Sequence, residues 1–365
     1  MDTPSRQRPT PMPVDKITPD DSRVSHRETV LNGQKYHYIH GVPKHGKFKA
    51  TVFLIHGWPD LSYGWRYQIP FLIQQNMQVV VPDMMGYGRT DAPRSPPADL
   101  RLYSIKRAAD DISELAKQLG APKIILGGHD WGGIVVYRTA QWYPELVTHV
   151  FSVCTPYTAP SRRFISLAEM VHGPLPQFGY QMQLAGPELE ANVTSCDQVR
   201  NFLRALYGGR SEQGKPYFRP ETGIDLDGLE TIGVAPSLDG EACSSEMNSQ
   251  IVIDSRLQEL EYYTREYMRH GLHGPLNWYR TRRINFEDDL KLGTKMVKQP
   301  VLFISGRHDA VLTPEMSKGM EAFVPRLTRR EVEASHWALT QTPEEVNNIV
   351  KEWLREVALG SRSLL

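Results

Sequence analysis

Residues 123–126 have the β-branched, apolar character of a buried strand and run into Gly127-Gly128-His129-Asp130-Trp131-Gly132-Gly133, after which a helical pattern starts at Ile134. Small residues around one reactive side chain mark a nucleophile elbow, G-x-S-x-G in its serine form. There the reactive residue sits on a strained turn and the next helix must approach the strand closely. Asp130 occupies the serine position. Alone it reads equally as an aspartate capping the following helix. A nucleophile, however, needs an acid and then a histidine later in the chain, and both follow. The strand pattern at 301–305 leads into Gly306-Arg307-His308-Asp309, and that at 328–332 leads into Glu333-Ala334-Ser335-His336-Trp337. Asp309 and His336 thus each fall on a loop at the carboxyl end of a strand, where sites of α/β proteins are built. A fourth segment, His56-Gly57-Trp58-Pro59-Asp60, follows the apolar run 51–55. A turn there can aim the Trp58 N–H at the same place as the Trp131 N–H, giving two donors for a developing oxyanion. Asp83 also ends a strand pattern but is assigned to structure, because Asp309 already supplies the acid.

A carboxylate nucleophile restricts the reaction. An aspartate oxygen is weak against an ester but displaces a leaving group from an sp³ carbon, leaving an alkyl ester on the protein. Water activated by His336, with Asp309 fixing the imidazole tautomer and stabilising its cation, then hydrolyses that ester at the Asp130 carbonyl. The oxyanion donors serve this second step. The net result is hydrolysis at a carbon–halogen or carbon–oxygen bond, and a serine esterase is excluded because no serine occupies the elbow.

The elements that position these residues alternate. Short apolar runs at 51–55, 77–82, 123–126, 148–153, 301–305 and 328–332, all read as too apolar for an exposed edge, are separated by helical patterns. This predicts an α/β fold with a mostly parallel sheet. Residues 24–39 read as an antiparallel hairpin turned at Asn32-Gly33. The stretch 103–119 places Ile105, Ala108, Ala109, Ile112, Leu115, Ala116 and Leu119 on one helical face and stops at Gly120. After Pro156 the alternation ceases, and residues 156–285 read as a helical lid inserted into a core made of 24–155 and 286–365. Within the insertion, 208–250 carries eight acids against three bases and seven glycines, the composition of a long surface loop. Residues 1–23, rich in proline and polar side chains, are expected to form a disordered tail without the apolar region of a secretory signal.

Composition narrows the partners. With 42 basic and 42 acidic side chains in 365 residues, no net field attracts nucleic acid or an anionic membrane. No apolar run approaches the roughly 18 residues needed to cross a bilayer. Cys154, Cys196 and Cys243 are odd in number and widely spaced, which predicts reduced thiols and a cytoplasmic protein. The terminal Ser363-Leu364-Leu365 only loosely echoes a peroxisomal address. His37, His40 and His45 lack an accompanying carboxylate in the hairpin and are read as solvated. Neither a metal nor a cofactor is expected, and a homodimer is compatible with these residues.

Taken together, His56-Gly57-Trp58-Pro59, Gly128-His129-Asp130-Trp131-Gly132-Gly133, Gly271 to Arg280 (GLHGPLNWYR) and Ser335-His336-Trp337 resemble the soluble epoxide hydrolases of the α/β-hydrolase fold, over about residues 24–357. The resemblance implies addition of water to an epoxide to give a vicinal diol, with Asp130, Asp309 and His336 as the catalytic set. It further implies two lid tyrosines that donate to the epoxide oxygen, matched by Tyr180 in Phe178-Gly179-Tyr180-Gln181 and Tyr279 in Asn277-Trp278-Tyr279-Arg280. An opened epoxide's leaving group is an alkoxide that stays on the substrate, so ring opening needs an acid, and a phenol with a pKa near 10 remains protonated at neutral pH. Tyr180, Tyr279, Trp58 and Trp131 are the substrate-binding residues implied. Tyr262, Tyr263 and Tyr267 are read as packing. The 208–250 insertion departs from shorter members and is expected to influence access. Two alternatives share the fold. A haloalkane dehalogenase would need halide donors but no paired tyrosines, and a non-catalytic ligand-binding relative would not need the nucleophile.

Overall fold

The hairpin turn at Asn32-Gly33 forms because both residues take the left-handed backbone, with φ of 46° and 88°, that a two-residue turn between twisted strands demands. It joins Val24–Leu31 (β1) to Gln34–Gly41 (β2). The structure is a computed structural model that describes residues 14–232 and 249–359. Six further strands complete an eight-stranded sheet. They are Thr51–Ile55 (β3), Gln78–Pro82 (β4), Ile124–His129 (β5), Val147–Val153 (β6), Val301–Gly306 (β9) and Leu327–Val332 (β10). The spatial order is β1-β2-β4-β3-β5-β6-β9-β10. β1 and β2 run antiparallel to their neighbours, and the rest of the sheet is parallel. β3 to β6 are buried almost throughout, as expected of parallel strands covered on both faces.

One expectation fails at the sheet's far edge. β10 is the terminal strand and carries Arg329, Arg330 and Glu331, half-buried or exposed. Charge there suits an unpaired edge, which charged side chains protect from pairing with other chains.

Helices cover the sheet. They are Gln68–Gln74 (α1), Ile105–Gln118 (α2), Trp131–Trp142 (α3) and, at the end, Ala338–Gln341 (α11) and Pro343–Leu359 (α12). α2 starts where the Ser104 side chain accepts from the Arg107 N–H. It buries Ile105, Ala108, Ile112 and Leu115 and ends at Gly120 with φ 66°, a left-handed stop that glycine adopts without Cβ strain.

Between β6 and β9 lie Leu167–Val171 (α4), Tyr180–Ala185 (α5), Glu188–Asn192 (α6), Cys196–Leu206 (α7), a hairpin of Phe218–Arg219 (β7) and Gly223–Ile224 (β8), then Ser249–Tyr267 (α8), His273–Arg280 (α9) and Arg282–Asp289 (α10). The core boundary expected at 285/286 falls inside α10, whose Asp289 accepts two 2.8 Å hydrogen bonds from Arg138 of α3. Residues 208–232 are more than a surface loop, because β7 and β8 pair and Tyr217, Ile224 and Leu229 are buried. Residues 233–248 of that expected loop lie outside the described residues.

The expected tail is also shorter than 1–23. Ile17 is 1% exposed, its N–H donates to the Arg66 carbonyl at 3.0 Å, and Lys16 pairs with Glu259 of α8. One buried isoleucine and this ion pair hold residues that composition alone assigns to solvent. Residues 1–13 lie outside the described residues. Among the described residues no helix is long and apolar enough to cross a membrane.

Candidate active site

Asp130 links the end of β5 to the first residue of α3, so the helix begins three residues earlier than the sequence pattern suggests. Its φ of 53° places a non-glycine side chain in a region that costs about 1–3 kcal/mol and persists only where the surroundings enforce it. The Asp130 carbonyl is held by the Thr155 hydroxyl at 2.8 Å and the Gly133 N–H at 2.9 Å. The elbow's glycines are needed for contact. A Cβ on Gly128 would lie 2.4 Å from the Gly132 carbonyl oxygen, and one on Gly132 would lie 2.0 Å from that of Ile55.

The parallel order brings the other loops to the same end of the sheet. β3, beside β5, delivers Trp58, whose N–H donates to Asp130 Oδ1 at 2.7 Å. Beyond β9 and β10 the two strands stay joined by Arg307 N–H to the Val332 carbonyl and His308 N–H to the Ala334 carbonyl, which carries Asp309 to His336. The His336 Nδ1 lies 2.7 Å from Asp309 Oδ2, and its Nε2 lies 3.5 Å from Asp130 Oδ2. Asp309 is 3% exposed, with Oδ1 accepting from the Val311 and Leu312 N–H groups at 2.9 Å each.

Burial alone would lower the His336 pKa. The Asp309 charge and the contacts to both carboxylates outweigh it and raise the group to about 10. The same pairing holds Asp309 below its usual range, although burial opposes it. His336 therefore rests as an imidazolium between two carboxylates. Its backbone carbonyl accepts from His129 Nε2 at 2.8 Å and from Cys154 Sγ at 3.4 Å, ties that no sequence pattern announces. Ligand atoms of His129, Cys154 and His336 lie within 4.8 Å of one another. Both ring nitrogens of His336 face carboxylates, however, leaving that ring no lone pair for a metal.

Tyr180 opens α5 and Tyr279 lies near the end of α9. Both are 6% exposed, with ring centroids 6.2 Å apart. Tyr279 stands edge-on to Trp131 at 5.4 Å and to Trp58 at 5.5 Å. Burial, then the neighbouring Asp130 charge, push the Tyr180 pKa up. Burial, the Tyr180 hydroxyl and Asp130 do the same for Tyr279, so both phenols keep their protons at neutral pH. A cavity of about 400 Å³ is lined by Asp130, Trp131, Phe178, Tyr180, Tyr279 and Leu312, among others.

Trp58, Asp309 and His336 do not line that cavity. The sequence reading of Trp58 as a substrate contact is thus not met by its side chain, which is buried against Phe202 and Tyr279. Its N–H reaches Asp130 instead. Among the described residues the Trp131 N–H makes no hydrogen bond to the Asp130 carboxylate. Tyr263 and Tyr267, read as packing, donate to Asp60 and to the Pro59 carbonyl, tying α8 to the loop after β3. His37 is not solvated but 1% exposed, with Nδ1 2.7 Å from Asp83 Oδ2. Its carboxylate partner comes from the end of β4, which the hairpin sequence could not reveal. His308 faces Glu333 on the surface, away from the site.

Comparison with known proteins decides the family. Residues 50–343 match the model of the alpha/beta hydrolase fold. An epoxide hydrolase of Neurospora crassa is 39% identical over 94% of this chain and 99% of its own. The chain belongs to the epoxide hydrolases of the α/β-hydrolase fold. Among other members of the family, the bifunctional epoxide hydrolase 2 of Rattus norvegicus is 32% identical over 94% of this chain, which spans 57% of that protein's length. The crystal structure of epoxide hydrolase A from Mycobacterium thermoresistibile superposes with a TM-score of 0.70 at 27% identity, covering 91% of this chain and 98% of that one.

Proposed function

We propose that this epoxide hydrolase adds water to small apolar epoxides through an ester on Asp130. The observation that carries the reading is that Asp130, Tyr180 and Tyr279 line one cavity, a carboxylate facing protonated phenols. Asp130 Oδ1 is already held by the Trp58 N–H, so Oδ2 is the oxygen that attacks the epoxide carbon. As that bond forms, the ring C–O bond breaks and the oxygen, still attached to the esterified substrate, takes a proton from Tyr180 or Tyr279 while the other phenol donates a hydrogen bond; the phenolate left behind recovers its proton from the His336 imidazolium through solvent. General-acid assistance of this kind contributes about 10²–10⁴-fold.

Esterification removes the negative charge of Asp130. One of the two influences that raise the His336 pKa disappears with it, so the imidazole becomes able to take a proton from water when the ester needs hydrolysing. Water adds to the ester carbonyl, the charge builds on Oδ1, and the Trp58 N–H stabilises it, with Trp131 as the second donor. On collapse the bond from Cγ to the substrate-bearing oxygen breaks, that oxygen leaves in the diol with a proton from His336, and the new carboxyl group of Asp130, completed by the oxygen of water, returns its proton to His336. Asp309 orients His336 and balances its cation. The segment between β6 and β9 acts as the lid that brings Tyr180 and Tyr279 over Asp130. The free thiols of Cys154 and Cys196 support a reducing compartment, the cytoplasm.

The test is product analysis with an aryl epoxide and a 1-haloalkane offered separately. Diol from the epoxide, absent in Asp130→Asn, is the expected result. Halide release without diol would make the protein a dehalogenase and reduce the tyrosines to packing.

A further inference from the structure

His273, the first residue of α9, is buried and joins two other parts of the chain. Its Nε2 accepts from the Ser95 N–H at 3.0 Å, in the segment between β4 and α2. A backbone N–H only donates, so Nε2 holds the lone pair and the ring hydrogen sits on Nδ1, which lies 2.9 Å from Glu190 Oε2 of α6. The same carboxylate oxygen stands 3.6 Å from Arg280 Nη1, at the other end of α9. Arg280 in turn donates to the Ala185 carbonyl at 3.1 Å and to the Gly186 carbonyl at 2.9 Å, where α5 ends. Seven residues rise about 10 Å along a helix, so α9 holds the α5–α6 segment at two separated points.

Tyr180 opens α5 and Tyr279 directly precedes Arg280. Both phenols have to reach one oxygen, yet each sits on its own lid helix while Asp130 sits at the end of a sheet strand. Other contacts seat α9 on the core. Trp278 Nε1 donates to the Met85 carbonyl at 2.9 Å, and Gly274 is so close to Gly86 that a Cβ on it would lie 2.7 Å from the Gly86 Cα. Neither contact involves the segment that carries Tyr180. Arg280 alone would leave a pivot there, and the His273–Glu190 contact removes it. We propose that His273 is a positioning residue for the proton-donating pair. With Glu190 it sets Tyr279 relative to Tyr180, and with the Ser95 N–H it registers both against Asp130. This rests on the reading of the two tyrosines as acids.

The experiment is rapid mixing with an aryl epoxide, which separates ester formation from ester hydrolysis. In His273→Leu, ester formation should slow by about 10- to 100-fold, the scale on which misplacing reacting groups by up to about 1 Å acts. Ester hydrolysis, which uses neither phenol, should keep its wild-type rate. His273→Gln offers one acceptor and one donor again and should recover most of the lost rate. Glu190→Leu removes the same contact from its half-buried partner and should slow the same phase. The double variant should be no slower than the slower single one, because one interaction is lost only once. Wild-type ester formation in His273→Leu would overturn the proposal, as would single effects that multiply in the double variant. Equal slowing of both phases without recovery in His273→Gln would also overturn it, by assigning His273 to holding the fold. If His273→Leu does not fold, Glu190→Leu carries the test, and a wild-type rate of ester formation there overturns the proposal. Tyr279→Phe separates the two readings. If it forms ester at the wild-type rate, the acid reading fails and this proposal with it, whereas a slowed Tyr279→Phe beside an unaffected His273→Leu overturns this proposal alone.

Discussion

The Trp58 N–H holds Asp130 Oδ1 at 2.7 Å, while His336 Nε2 stands 3.5 Å from Oδ2 of the same carboxylate. The two oxygens are thus distinguished before any substrate arrives. In the proposed mechanism Oδ1 is the oxygen on which charge develops when the ester is attacked, and Oδ2 is the one that attacks the epoxide. This asymmetry separates the half-reactions and makes each accessible to a single substitution.

Asp130→Asn removes the proposed nucleophile and should abolish both ester and diol. His336→Gln leaves the nucleophile and the tyrosines in place but removes the base, so the first step should proceed and the second stall. Intact-protein mass spectrometry after mixing with an epoxide should show His336→Gln heavier by one substrate and Asp130→Asn unchanged. An unmodified His336→Gln protein that still forms diol would remove His336 from the hydrolytic step.

Tyr279→Phe and Tyr180→Phe each delete one proposed donor to the alkoxide while keeping a ring that packs. Each should slow ester formation by about 10²-fold, at the lower end of general-acid effects, and the double variant should lose measurable turnover. Rapid-mixing kinetics locate the defect, since ester hydrolysis should keep its wild-type rate. A loss confined to the hydrolysis phase would contradict the assignment.

The pH behaviour follows from the charges around His336. Burial opposes protonation, but Asp309 and Asp130 prevail and lift its pKa from 6.5 to about 10. A raised folded-state value means the imidazolium stabilises the fold. That contribution is complete below pH 6.5 and is lost as the pH climbs through about 10. The melting-temperature advantage of wild type over His336→Gln should therefore shrink between neutral pH and pH 10. In Asp130→Asn one supporting charge is gone, so the His336 resonance followed by NMR should titrate at lower pH than in the wild type. Identical titration in the two proteins would show that Asp130 does not act on His336.

Much of this arrangement was legible because it is encoded locally. The Gly-Gly-His-Asp-Trp-Gly-Gly elbow, the Asn32-Gly33 turn and the apolar strands each need only neighbouring residues to declare themselves, and the order Asp130, Asp309, His336 follows from where strands end. Tyr180 and Tyr279 came through resemblance, since a tyrosine in a helix has no local mark of an acid. The misreadings share one cause. Ile17, His37 and the charged edge β10 owe their environments to partners distant in sequence or, for β10, to having none on one side among the described residues.

Gly57 supplies the most local test of the nucleophile's placement. A Cβ there would stand 2.2 Å from Asp130 Oδ1 and 2.4 Å from the Asp130 Cβ, closer than any real contact allows. Gly57→Ala therefore has to displace the carboxylate, the loop after β3, or both. Overpacking of this kind costs about 1–3 kcal/mol, which a chain of this size should survive folded, with a lowered melting temperature. Catalysis should suffer far more, because moving reacting groups by about 1 Å costs on the order of 10²-fold in rate and the Trp58 N–H moves with the loop. The expected result is a folded protein by circular dichroism whose kcat falls by at least about 10²-fold. A Gly57→Ala variant with wild-type kcat would mean that the Trp58–Asp130 contact is not needed during turnover.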